Sequence, residues 1–376
     1  MNFANASTTH PPITLSFGDI GNTTLNRALV TITCFLSLLG ASIIIATYIA
    51  WKDMRSTSRR ILVYISIADS IVAASYIFGA YLPQNTNSGA CTAQSYLSTT
   101  ACLWSYLWTL FMAIFLYTTI AMQKPSTALK MFWMYHGIGW GVPVFVVSLA
   151  LFEGKLGNDR DIYSSAWCWI KVEGSGKSAG HHDYIIWMLV TGKAWEMLVF
   201  VLILIFYGLL KWHLREELHR NERHRIRSNA LDAAKRADKR LTCVPVIFLI
   251  LRACGVLRFC IYISSSAEEL HSAETRKIQE VLVYLQGMCE SGQGLANFVF
   301  FCLLTKKFQE NSRRLLYRHC TCLEELWEFN TTTEPTDQGI NSTYGFNILD
   351  SDSTEMNETA TLSRTSYLNS NYLAIT

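Results

Sequence analysis

The chain has 376 residues, half of them hydrophobic and only 16 % charged, where a soluble domain carries about 25 % charge. A mean hydropathy of +0.20 and a formal net charge of +3 exclude an ordinary soluble domain and leave no electrostatic basis for binding nucleic acid. The eleven cysteines are scattered without metal-ligand spacing, so neither a metal nor another cofactor is expected.

In chain order, residues 1–26 form a short outer segment with glycosylation sequons at Asn5 and Asn22. It lacks a basic stretch followed by an apolar core, which argues against a cleaved signal peptide. Seven apolar runs of hydrocarbon length follow, at about 27–51, 61–81, 91–122, 131–151, 184–212, 241–264 and 278–304. The third is the least clean, because its first half is rich in Ser and Thr. The expected fold is all-α: a bundle of seven transmembrane helices over residues 27–304.

Lysine and arginine orient the bundle. With the N-terminus outside, residues 52–60 hold four of them, 123–130 two, 211–240 ten and 305–318 five, whereas the outer segments together hold seven. The positive-inside rule therefore places the N-terminus outside and the C-terminus in the cytosol of a multi-pass plasma-membrane protein. On that topology Cys91 and Cys168 both face an oxidising compartment. A bridge between them would pin the second outer loop over the bundle; two free thiols are the alternative.

Charge at membrane depth is costly and usually pairs or lines a cavity. Asp69, Lys193, Glu196, Arg252, Arg258 and Glu290 lie there, three acidic and three basic. Lys193 and Glu196, three apart, share one helix face. Lys193, Glu196, Arg252, Arg258 and Glu290, with Trp169 of the outer loop, are candidates for a ligand pocket; interhelical pairing is the competing reading. Asp69, Pro245 and Gln293 are candidates for an internal polar switch, Pro245 as a kink.

Residues 305–322 read as an amphipathic helix on the membrane surface, followed by Cys320 and Cys322 as candidates for palmitoylation. Residues 323–376 are a Ser/Thr-rich tail that cannot bury a core and is expected to be disordered. Phosphorylation there would add dense negative charge for a partner's basic groove. Lys235, Arg236, Lys239, Arg240 and Lys306 are the candidates to face an acidic surface of a cytosolic partner, and the same basic loop can meet membrane lipids.

Gly139-Trp140-Gly141-Val142-Pro143 resembles the fourth-helix motif of secretin-type and adhesion-type receptors. Trp167-Cys168-Trp169, residues 239–248 (KRLTCVPVIF) and Ser291-Gly292-Gln293-Gly294 resemble their second outer loop, sixth helix and seventh helix. The likeness spans about residues 26–318. Residues 166–170, 187–198 and 237–239 resemble more narrowly an orphan branch between the secretin-like and cyclic-AMP-receptor-like groups. That resemblance implies a G-protein-coupled receptor with an unknown extracellular ligand, no enzymatic activity, and a tilt toward Gq and phosphoinositide signalling. The large hormone-capturing outer domain is not expected in so short an N-terminal segment. The rhodopsin-type motifs after the third helix and in the seventh are missing. A transporter or channel using the intramembrane charges is the alternative, with the odd span number against it.

Overall fold

The computed structural model describes residues 23–82, 88–158, 167–171, 179–221, 243–264, 273–303 and 305–319. Its contacts divide the chain into one unit up to Leu304 and another from Thr305.

The first unit is the seven-helix bundle. The first helix, Thr24–Ala50, starts at Thr23, whose hydroxyl accepts from the Asn26 N–H, satisfying one of the orphan donors of a helix start. Its end is closed by Arg55, whose guanidinium donates to the carbonyls of Tyr48 and Ile49. The second and third helices, Thr57–Ala80 and Gly89–Leu116, are capped the same way by Ser56 and Ser88. The third continues through a π-helical turn, Tyr117–Ala121.

Pro125–Lys130 and Phe132–Phe152 make the fourth span. The fifth runs as Ala179–Met188, a π-turn at Leu189–Lys193, and Ala194–Asn221. The sixth is Cys243–Ser264. The seventh is broken into Ala273–Ser291, Gln293–Phe298 and a π-turn at Val299–Leu303. Six of the seven are long and apolar enough to cross a membrane as continuous helices. The seventh misses that standard because it breaks at Gly292 and its outer piece carries a polar face.

Two close approaches explain glycines in the motifs. Gly294 lies against the first helix, where an added Cβ would stand 2.7 Å from the Ser37 carbonyl oxygen. Gly40 answers it, 3.0 Å from the Gly294 carbonyl by the same measure. Small residues at such a crossing let two backbones meet where no hydrophobic effect drives helices together. Gly139 does the same between the third and fourth helices, where a Cβ would meet the Phe111 ring at 3.0 Å and Trp108 at 3.3 Å. Beside it, Trp104 donates from its indole N–H to the Trp140 carbonyl at 3.0 Å. The Trp140 indole packs on Trp104, Trp108 and Tyr64.

Pro245 lies within the sixth helix, third among its described residues. Within the second unit, Lys306–His319 forms a helix of 14 residues.

Candidate functional site

The outer end of the bundle is covered by the second outer loop. The bridge expected from the sequence is present: Cys91 at the start of the third helix is joined to Cys168, with Cα atoms 5.6 Å apart. Hydrogen bonds hold the loop down on both sides of it. The Cys168 N–H donates to Gln94 Oε1 at 2.9 Å. Gln94 Nε2 in turn donates to the hydroxyls of Ser75 and Ser98. The Ser95 hydroxyl donates to the Trp169 carbonyl. Trp167 stacks on Tyr76 of the second helix, with ring centroids 3.7 Å apart and planes 11° apart. Trp169 and Ile170 pair antiparallel with Gly157 and Leu156, tying the loop to the end of the fourth span.

Under this lid is a cavity of about 470 Å³, open water at its mouth included. Trp167, Trp169, Tyr76 and Tyr106 supply aromatic wall, and Lys193, Glu196, Gln286 and Glu290 supply polar wall. Trp169 reaches in because Gly192 has no side chain: a Cβ there would stand 2.9 Å from the indole. Gly192 lies in the π-turn Leu189–Lys193; such bulges recur at functional sites.

A continuous polar chain leads inward from the cavity. Lys193 Nζ donates to Glu196 Oε2 at 2.6 Å and lies 3.9 Å from Glu290 Oε1. Glu290 Oε2 is 3.8 Å from Arg252 Nη1. Arg252 donates to the Tyr106 hydroxyl at 2.9 Å and to Gln293 Oε1 at 3.3 Å. Gln293 Nε2 donates to Ser105 Oγ, and the Ser105 hydroxyl donates to Asp69 Oδ1, both at 2.8 Å. Asn297 Nδ2 donates to Asp69 Oδ2 at 3.2 Å. A branch joins Arg258, which donates to Gln279 and Gln286, to Glu290 through Gln286. All six ionisable residues are buried. Three positive and three negative charges thus meet in one connected network, which answers the burial cost that each would carry alone.

The two readings of the intramembrane charges therefore merge, since the interhelical pairs are themselves the cavity wall. Lys193, Glu196, Glu290 and Trp169 line the cavity. Arg252 lies directly behind it, and Arg258 is separated from it by Gln286. Asp69 and Gln293 belong to one network, but Pro245 does not. It lines a separate cleft of about 190 Å³ with Ala113, Leu116, Phe206, Tyr207 and Leu210. Asn5, Asn22, Lys235, Arg236, Lys239, Arg240, Cys320 and Cys322 lie outside the described residues, and Lys306 opens the helix Lys306–His319.

Gln279, Gln286 and Asn297 were not singled out from the sequence, although they share a face with Glu290 and Gln293, which were. Gln279, Gln286, Glu290, Gln293 and Asn297 recur at spacings of seven, four, three and four along the seventh segment. That spacing is one helix face, so the signal was present. Gly255 left no such trace: a Cβ there would stand 2.7 Å from Glu290 Oε1, so the glycine makes room for the carboxylate.

Seven helices threading a membrane, with a lidded outer cavity wired to a polar core, define the class of G-protein-coupled receptors. The chain belongs to the secretin family of that class: the profile of the 7 transmembrane receptor (Secretin family) matches residues 24–296. It is 36 % identical over 286 residues to G-protein coupled receptor 157 of Homo sapiens, covering 74 % of this chain and 81 % of the relative. It is 35 % identical over 303 residues to the Mus musculus protein of the same name, covering 79 % and 86 %. Corticotropin-releasing factor receptor 1 of Macaca mulatta is more distant, 23 % identical over 57 % of this chain and 43 % of that receptor. The chain is thus a multi-pass plasma-membrane receptor whose family works through G proteins.

Proposed function

We propose that the lidded cavity receives an extracellular ligand and that the polar chain reports its presence to the inner end, where Gq-class heterotrimers are engaged. The observation that carries this is the unbroken series of contacts from Lys193 and Glu196 through Arg252 and Gln293 to Asp69. With Ser105 these residues stand on five helices, so a change at the cavity alters contacts that hold five elements in register. A ligand moves such an equilibrium only by binding one arrangement better than the other. At the inner end, the cleft between the third, fifth and sixth helices beside Pro245 is the place where those ends separate to admit a G-protein helix. Lys235, Arg236, Lys239, Arg240 and Lys306 are the residues that bring positive charge to the G protein. The tail serves arrestin and receptor kinases, Cys320 and Cys322 carry acyl chains, and Asn5 and Asn22 carry glycans.

The test is nucleotide exchange by purified heterotrimers of each class in the presence of the full chain in lipid nanodiscs. Gq-class proteins are expected to exchange fastest. Acceleration of none of them, with or without added ligands, would overturn the coupling; acceleration of another class alone would overturn the Gq assignment.

A further inference from the structure

The cavity wall is unevenly satisfied. Lys193 is already engaged by Glu196 Oε2 at 2.6 Å, with Glu290 close by. The other oxygen of Glu196, Oε1, has no hydrogen-bond partner, and neither has the Thr99 hydroxyl. Both residues line the cavity and both are buried, Glu196 being 1 % and Thr99 5 % exposed. An unpaired buried carboxylate oxygen is costly and calls for a donor. The arginines of the network already hold partners of their own: Arg258 donates to Gln279 and Gln286, and Arg252 donates to Tyr106 and Gln293.

Charge decides what kind of donor fits. Lys193, Arg252 and Arg258 are matched by Glu196, Glu290 and Asp69, so the connected network holds basic and acidic side chains in equal number. A ligand ion would add an uncompensated charge to a buried, balanced cluster. An anion would also have to pull Lys193 away from Glu196. An ammonium would be drawn to Glu196 but would sit beside Lys193. Tyr76, Tyr106, Trp167 and Trp169 meanwhile offer ring faces and edges.

Building on the receptor reading above, we infer that the cavity takes an uncharged small molecule with an aromatic or alicyclic body and a hydroxyl or amide donor. The donor meets Glu196 Oε1, and a hydroxyl can accept from Thr99 in return. The body packs under the Trp167 and Trp169 lid.

The test compares phenylethanol, phenylethylammonium and phenylpropanoate on the full chain in nanodiscs, read by thermal unfolding and by saturation-transfer NMR. The alcohol is expected to bind best. Glu196→Gln should weaken it by roughly tenfold or more, the weight of a hydrogen bond to a charged acceptor. Thr99→Val, which leaves every charge in place, should weaken it by roughly two- to tenfold, as for a neutral hydrogen bond. Should Glu196→Gln not fold, Thr99→Val decides alone. Equal or tighter binding of either ion, no binding of the alcohol, or an unchanged affinity in the variants overturns the inference. Ligand-free nucleotide exchange on the same preparation judges the coupling separately. Exchange with preference for an ion sinks only the ligand chemistry, and alcohol binding without any exchange sinks only the receptor reading.

Discussion

The third and fourth helices lie side by side yet live in different solvents. In the third, 89 % of the most apolar stretch is buried, and in the fourth 28 %. The third is surrounded by protein, and it carries Ser95, Ser98, Thr99, Thr100, Ser105 and Thr109, all buried. The fourth turns Trp133, Phe145 and Phe152 outward, where they are 85 %, 72 % and 88 % exposed. A helix that carries so many hydroxyls is central here, because only a helix wrapped by others can have its hydroxyls and amides answered. Glycines at the seam reflect the same division: Gly139 touches the third helix, while Gly141 has nothing within 4 Å.

The strongest way to break this contrast is to remove one charge from the central network. Glu290→Leu removes the carboxylate that stands beside Lys193, Arg252 and Gln286. Stranding a buried partner costs about 3–5 kcal/mol. The variant should lose most of its surface expression, and what is purified should unfold at a distinctly lower temperature. Wild-type expression and thermal stability would mean that the network contributes no net stability.

A smaller effect sharpens the seam. Gly139→Leu should cost about 1–3 kcal/mol, as expected of overpacking, because the new side chain must enter the space held by Phe111 and Trp108. Gly141→Leu should stay within about 0.5 kcal/mol, the usual range for a surface site without special features. Parallel thermal melts of the two variants check this. Equal losses would show that helix flexibility, not contact, makes glycine necessary in the motif.

Much of this was legible in the sequence, and the reasons are physical. Hydrocarbon thickness fixes helix length, so the seven segments could be read directly. The start of the second came early by one turn, at Thr57 rather than 61, because Ser56 caps it from a polar stretch. That places Asp69 midway along its helix. Cys91 and Cys168 were paired correctly because topology left both outside. What could not be read was partnership across helices. Lys193 with Glu196 is local, but Arg252 with Tyr106 spans 146 residues and Asp69 with Asn297 spans 228. Intrinsic spacing says which face a residue takes and leaves its neighbour to the packing. Pro245 was expected to favour a kink from its residue type and its place just after a basic loop, and the described residues of its helix begin only two positions before it.

Asp69→Asn is the most delicate variant, since it tests the junction between the two halves of the contrast. Asparagine keeps an acceptor oxygen but replaces the other with an NH₂ group, so one of the contacts from Ser105 and Asn297 must reverse or break. The third helix would remain packed, because its aromatic seam with the fourth is untouched. Stability should therefore change by only about 1 kcal/mol, the net weight of one hydrogen bond. The balance of charge in the network changes at the same time, and the arrangement preferred by Arg252 and Gln293 with it. A shift of roughly fivefold in basal nucleotide exchange, at near-normal surface expression, is the expected outcome, within the range by which residues between two sites modulate coupling. An unaltered basal rate would show that the polar chain holds the helices together without reporting the state of the cavity, and that the signal travels through backbone movement of the sixth and seventh helices instead.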